Sequence, residues 1–154
     1  MLAVLHTSPD LDNFESTCVP ILGKIGTELK RRHPSTPLIV FARGACDCNN
    51  LLGALDIFDV ITIDGGVERS TAREKAGGKA GLQGNFDPKF LVPGEHTGKG
   101  KVREEVRSML EVLGPKGLIA NLGEGLGGKE STELVDEFVR AVHEESEIMI
   151  RERL

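Results

Sequence analysis

The chain repeats one pattern about five times: a short apolar run without polar alternation, then a stretch in which apolar residues recur at helical spacing. The clearest apolar runs are 1–6, 37–41, 60–63 and 118–122. Strands without polar alternation are covered on both faces, and helices between strands permit parallel pairing. The pattern therefore predicts an α/β protein with about five parallel strands in sequential neighbour order and outer helices.

The spacing of apolar residues also predicts which helix faces are buried. Three helical segments carry such stripes, at 11–32, 101–113 and 131–151, and Pro20 is expected to open the main helix of the first. In chain order the stripes consist of Phe14, Cys18, Ile21, Ile25 and Leu29; Val102, Val106, Met109, Leu110 and Leu113; and Leu134, Val135, Phe138, Val139 and Val142.

Two architectures satisfy this order of elements, an open doubly wound sheet and a piece of a (βα) barrel. In both, chemistry is found directly after the carboxyl ends of the strands. The candidate functional residues at those positions are Arg43, Asp64, Asn85, Asp87 and Glu124.

Composition narrows the class of protein. A chain of 154 residues suits one domain, and a net charge of −5 without a basic patch argues against nucleic-acid binding. No apolar run approaches the roughly 20 residues of a membrane-spanning helix. Three cysteines without a signal peptide favour free thiols in the cytoplasm. A domain that starts directly on a strand also suggests truncation.

Two sequence blocks are shared with a known family. The stretch 64–88 ends in Leu-Gln-Gly-Asn-Phe-Asp-Pro, and 121–126 reads Asn-Leu-Gly-Glu-Gly-Leu. Upstream, 40–44 reads Val-Phe-Ala-Arg-Gly, and 139–146 follows the pattern of a closing helix. In this order and spacing, the blocks resemble the carboxyl-terminal half of the uroporphyrinogen decarboxylase family.

The resemblance implies a (β/α)8 TIM barrel, of which residues 1–154 represent about half. It implies a lyase of heme and chlorophyll biosynthesis that converts uroporphyrinogen to coproporphyrinogen by decarboxylating acetate side chains, without metal or organic cofactor. Such chemistry needs a proton donor for a pyrrole carbon, a carboxylate near the resulting cation, and cationic anchors for the substrate carboxylates.

The chain departs from the family in three ways. The family's amino-terminal half, with its arginine anchors, an aspartate facing the pyrrole nitrogens and a tyrosine, has no counterpart here. Glu124 stands at the position of the family's histidine, and the family's Phe-Asp/Glu-Ser string is missing near 1–7. The resemblance thus makes Glu124 the candidate catalytic position and Arg43, Asp64, Asn85 and Asp87 candidate substrate contacts.

Simpler roles stand beside these assignments. Asn85 and Asp87 could hold a tight turn, and Arg43 could pair with Asp64. His143 is expected to be a packing or surface histidine, and Cys46 and Cys48 idle thiols.

The sequence argues against a nucleotide-binding site and against a zinc site. Residues 123–129 satisfy G-x-x-x-x-G-K, but Glu130 occupies the place of the Mg²⁺-binding hydroxyl in a phosphate-binding loop. The zinc ligands of related methyltransferases fall on Phe41, Arg43 and Glu124, so no metal is expected.

Half a barrel has open sheet edges and an apolar concave face, which require a cover. We therefore expect either a homodimer or a separate chain that supplies the amino-terminal half, with porphyrinogen as substrate and no nucleic acid or membrane partner. A non-catalytic barrel half with a structural or binding role is the alternative function. A plastid location is conceivable only for a longer precursor.

Overall fold

The computed structural model describes residues 2–5, 14–44, 49–76, 78–95 and 97–152. Its sheet has five parallel strands in the order β1-β2-β3-β4-β5, which confirms the predicted sequential order. Within the described residues β1 and β5 each pair with one neighbour, so both edges are open. The strands are β1 (Leu2–Leu5), β2 (Ile39–Arg43), β3 (Val60–Thr62), β4 (Gly81–Phe86) and β5 (Leu118–Leu122).

Helices lie between the strands along the chain, as parallel connections require. The described α-helices are α1 (Val19–Arg32), α2 (Asn49–Ala54), α3 (Arg69–Lys75), α4 (Lys99–Leu113) and α5 (Thr132–Glu152). A π-helical turn (Phe14–Cys18) precedes α1, and a 3-10 helix (Pro88–Leu91) follows β4. Across the described ranges, no helix combines the length and apolar character that a membrane crossing requires.

The strand register divides the sheet into two faces. Val40, Ile61, Leu82 and Leu118 pair in one row, which belongs to the core beneath the helices. The adjacent row points to the opposite side, because successive strand residues alternate between faces. We call that side the inner face, and its row consists of Phe41, Thr62, Gln83 and Ile119.

Helices α4 and α5 complete the core over β4 and β5. All five residues of the predicted α4 stripe are buried, which confirms that stripe. On α5, the ring of Phe138 lies 4.6 Å from that of Phe86. The prediction for Val139 was wrong, since this side chain is 48% exposed. The buried face of α5 runs instead through Glu137 and Glu145, whose charges are paired with arginines of α4.

The predicted buried face of α1 was also partly wrong. Ile21 and Ile25 are 53% and 39% exposed, whereas Leu22 and Gly26 are buried. A Cβ added to Gly26 would lie 2.6 Å from Cδ1 of Ile57. Helix α1 therefore packs through its small residue, which hydrophobic spacing alone does not reveal.

An ion-pair network joins α4 to α5. Arg103 contacts Glu137 at 2.8 Å and Glu145 at 3.2 Å, and Arg107 contacts Glu145 at 3.0 Å. The hydrogen bond from Arg107, followed by that from Arg103, holds the pKa of Glu145 below its usual range despite burial. The two buried carboxylates depend on these guanidinium groups for charge compensation.

Arg103→Met is expected to lower the free energy of unfolding at pH 7 by about 2 kcal/mol, because it leaves buried carboxylates short of a partner. A lowered folded-state pKa stabilises the fold above the unfolded pKa of about 4.3, and this stability is lost as pH falls through the folded value. The difference between variant and wild type should therefore shrink in acid. Urea titrations at pH 7 and pH 3.5 measure it.

The matched control is Arg151→Met, which removes the exposed Arg151–Glu147 pair on α5. Exposed pairs contribute at most about 1 kcal/mol. Equal effects of the two substitutions, or an Arg103 effect that persists unchanged in acid, would contradict the network's role.

Candidate functional site

The predicted site residues lie at the carboxyl-terminal ends of the strands, which together we call the carboxyl-terminal edge of the sheet. Arg43 is the last residue of β2, Asp64 follows β3 by two residues, Asn85 is the penultimate residue of β4, and Glu124 follows β5 by two residues. All strands are parallel, so these positions share the carboxyl-terminal edge. The placement of the four residues on one edge, predicted from the order of elements, is confirmed.

Asp64 joins the ends of two strands. Its carboxylate accepts a hydrogen bond from the backbone N–H of Gly44 at 2.8 Å and another from that of Gly66 at 3.0 Å. Through the first bond, Asp64 fixes the backbone directly after Arg43. The suggested side-chain pair between Arg43 and Asp64 is not present among the described contacts.

Asn85 is buried in a polar network and is not located in a turn, which corrects the sequence interpretation. Its amide group donates to the carbonyl oxygens of Asp64 at 2.9 Å and Val67 at 3.2 Å. Its side-chain oxygen accepts from Nε of Arg69 at 2.8 Å, and Arg69 also contacts Glu105 at 2.6 Å. Sequence reasoning missed Arg69, because its partners lie 16 and 36 residues away and follow no local pattern.

Asp87 supports the next element. Its side chain caps the 3-10 helix by accepting from the backbone N–H of Lys89 at 2.9 Å. The carboxylate also lies 2.5 Å from Nζ of Lys89, and this hydrogen bond raises the pKa of Lys89. The geometry matches the loop-holding interpretation of Asp87.

Arg43 and Glu124 are the members of the predicted site with exposed side chains. In the described part of the chain, neither side chain forms a hydrogen bond or ion pair. A guanidinium and a carboxylate at the same sheet edge are therefore available to a ligand that carries both anionic and hydrogen-bonding groups.

The glycine-rich loop 123–129 binds the chain's own carboxylate. Glu130 accepts hydrogen bonds from the backbone N–H groups of Gly127 at 2.9 Å, Gly128 at 2.8 Å and Lys129 at 3.0 Å. These backbone bonds, led by that of Gly127, hold the pKa of Glu130 below its usual range. The amides that a phosphate-binding loop needs are already occupied, which argues against a nucleotide site.

Of the remaining sequence candidates, the structure describes Cys18 and His143, and neither contributes a further group to the strand ends. Cys18 is a free thiol at the start of α1, and His143 is exposed on α5, as expected. Cys46 and Cys48 lie outside the described residues. Within those residues, no three acidic, histidine or cysteine side chains cluster as metal ligands.

Gly123 brings the loops after β3 and β5 together. Its N–H donates to the carbonyl of Phe86 at 2.8 Å, and an added Cβ would lie 2.8 Å from the backbone N of Gly65. An added Cβ on Gly125 meets nothing within 4 Å. The close approach of the two loops therefore depends on one glycine and not on its neighbour.

Gly123→Ala is expected to lower the free energy of unfolding by roughly 2 kcal/mol through overpacking, whereas Gly125→Ala changes it by about 0.5 kcal/mol or less. Thermal unfolding of the two variants measures the difference. Equal melting temperatures would show that the loops do not depend on this contact.

Comparison with known proteins gives consistent matches. A family model described as uroporphyrinogen decarboxylase (URO-D) matches residues 8–145. The uroporphyrinogen decarboxylase of Salinibacter ruber is 40% identical over 147 residues, which cover 96% of this chain and 39% of that protein. That of Dictyostelium discoideum is 40% identical over 138 residues, covering 89% of this chain and 37% of that protein. The chain thus spans under two fifths of the length of these relatives.

A solved structure shares the fold. A methyltransferase from Methanosarcina mazei superimposes with a TM-score of 0.72 at 22% identity, covering 92% of this chain and 41% of that one. At this identity the likeness supports the (βα)-barrel architecture, and the chain corresponds to a part of it.

Proposed function

The chain belongs to the uroporphyrinogen decarboxylase family, and on that premise we propose that it forms the carboxyl-terminal part of an enzyme that converts uroporphyrinogen to coproporphyrinogen. The observation that carries the proposal is the family match over residues 8–145, which include β2 to β5 and the loops at their carboxyl ends. The proposal includes a cytoplasmic location, consistent with the free thiol of Cys18.

The reaction removes CO2 from an acetate side chain. Protonation of a pyrrole carbon creates a cation that accepts the electrons of the breaking C–C bond as CO2 leaves. A second proton then adds to the methylene carbon, and the ring carbon releases the first proton, which restores the pyrrole. The protein must bind several carboxylates, keep the substrate oriented and supply protons. No metal or organic cofactor enters the proposal.

In this scheme Arg43 binds a substrate carboxylate, because its exposed guanidinium can form a bidentate pair. Asp64 lies on the neighbouring strand end and contributes a hydrogen-bond acceptor. Asn85 and Asp87 support these residues, since their side chains bond within the chain. Glu124 supplies a carboxylate that can accept a hydrogen bond or carry a proton, but no positive charge.

The proposed partner is a polypeptide segment that supplies the rest of the barrel. A TIM barrel has eight strands and five are described here, so about three are needed to close it. A second copy of this chain would bring five, which favours a complementary segment over a homodimer. Ile119 lies on the inner face of β5, at the open edge of the sheet, and is 46% exposed. A complementary segment that closes the barrel would cover this apolar side chain.

Genetic complementation tests the function. The chain would be expressed, with the part of the Salinibacter ruber relative that it does not match, in a bacterium lacking its own decarboxylase. We expect growth without added heme when both polypeptides are present, and none with either alone. If the two polypeptides co-purify yet growth fails, the alternative function, a non-catalytic barrel part, is supported instead.

A further inference from the structure

Arg69 forms a fork around one buried residue. Its Nε donates to Oδ1 of Asn85 at 2.8 Å and its Nη2 to the backbone carbonyl of Asn85 at 3.2 Å. The remaining terminal nitrogen, Nη1, contacts Glu105 on α4 at 2.6 Å. The side chains of Arg69 and Glu105 are 18% and 21% exposed. Each nitrogen of this guanidinium is therefore engaged within the chain, and Arg69 is not a free anchor for a ligand.

The fork determines what the rest of Asn85 can do. Since Arg69 binds the side-chain oxygen, the amide nitrogen must point the other way, towards the turn after β3. There it donates to the carbonyl oxygens of Asp64 and Val67, at the two ends of that turn. A planar guanidinium held by several bonds loses little freedom per bond formed, so it is well suited to fix an amide in one orientation.

The turn after β3 also contains Asp64, whose carboxylate accepts hydrogen bonds from the backbone N–H groups of Gly44 and Gly66. We propose that Arg69 is a positioning residue: by fixing Asn85 it sets the place of Asp64 and of the β2 end that carries Arg43. We name this set of contacts, from Glu105 through Arg69 and Asn85 to Asp64, the clamp. Its role towards substrate rests on the proposed function, whereas its role in the turn does not.

A purely structural arginine on the same helix offers a matched control. Arg73 lies one turn further along α3 and donates from Nε to the carbonyl of Leu113 at 3.0 Å, and from Nη2 to that of Lys116 at 3.3 Å. The carbonyl of Leu113 lies at the end of α4 and that of Lys116 just before β5, so both lie near the amino-terminal ends of the strands, opposite Asp64. Arg73→Met and Arg69→Met thus remove the same group from one helix, but only the second opens the clamp.

Amide hydrogen exchange, measured by NMR on the whole chain, tests the clamp without substrate. In Arg69→Met, the N–H groups of Gly44 and Gly66 are expected to exchange about tenfold faster or more, because their acceptor Asp64 is no longer held. The N–H of Gly123, which bonds to Phe86, should not change. In Arg73→Met both reporter amides should keep their wild-type rates.

A second variant decides whether Arg69 acts through Asn85. In an Asn85→Ala background the clamp is already open, so adding Arg69→Met should not accelerate the two reporter amides further. Unchanged amides in Arg69→Met, equal acceleration in Arg73→Met, or additive effects in the double variant would each overturn the inference.

The same variants in the reconstituted enzyme test the consequence for substrate. Arg69→Met is expected to raise KM about tenfold with a smaller change in kcat, because the displaced groups are substrate contacts, and Arg73→Met leaves KM unchanged. An unaltered KM in Arg69→Met would refute the role towards substrate. Absence of turnover in the wild-type assembly would refute the proposed function, while the exchange rates still decide the clamp.

Discussion

Ile119→Lys is expected to weaken binding of the complementary barrel segment by roughly 100-fold or more, and Val139→Lys to leave it unchanged. The two side chains are similarly exposed, at 46% and 48%, and both are branched and apolar. Ile119 lies on the inner face of an edge strand, whereas Val139 lies on helix α5. Closure of the barrel covers the inner face and would bury the new ammonium group without a partner.

Isothermal titration of each variant with the unmatched part of the Salinibacter ruber relative measures this effect. Sedimentation of the chain by itself provides the second readout. Equal binding by both variants, or a stable and well-behaved monomer that binds no partner, would favour a self-contained open sheet. A homodimer disrupted by Ile119→Lys would identify a second copy as the cover.

Gly84→Ala is expected to cost about 3 kcal/mol or more of the free energy of unfolding, a large share of the roughly 5–15 kcal/mol of a typical domain. Gly84 has a φ of 130°, a backbone conformation that residues with a side chain rarely adopt. An added Cβ would also overlap the carbonyl oxygen of Ile63 on the adjacent chain segment. Strain and overlap act together at this position.

Gly81→Ala on the same strand is the control. A Cβ there makes ordinary contacts, the nearest at 3.4 Å to the carbonyl oxygen of Gly117. We expect its effect to stay near 1 kcal/mol. Chemical denaturation of both variants gives the comparison, and a Gly84→Ala protein as stable as the Gly81→Ala protein would contradict the described backbone of β4.

The sheet was predictable because its signals are local. Each strand is an apolar run, each is followed by a helical segment, and the parallel order follows from the connections. The α4 stripe was predicted completely, since its buried residues repeat at helical spacing. The placement of Arg43, Asp64 and Glu124 on one edge followed from strand order alone.

What sequence did not predict depends on contacts between distant residues. The buried face of α1 is set by the approach of Ile57 to Gly26, and that of α5 by ion pairs from α4. A tight turn was one of two interpretations of Asn85, but the residue lies within β4, and its side chain bonds to Arg69 and to the turn after β3. The hydrogen bonds from the loop amides to the Glu130 carboxylate were likewise not predicted from the sequence.

Release of labelled CO2 from uroporphyrinogen carrying ¹³C in its acetate carboxyl groups tests the central claim most directly. The chain assembled with the complementary segment should release it and yield coproporphyrinogen, while each polypeptide alone should release none. Turnover by the lone chain would mean that its own strand ends suffice and that the barrel needs no completion. A stable, stoichiometric assembly that binds the substrate but releases no labelled CO2 would contradict the assignment as a decarboxylase.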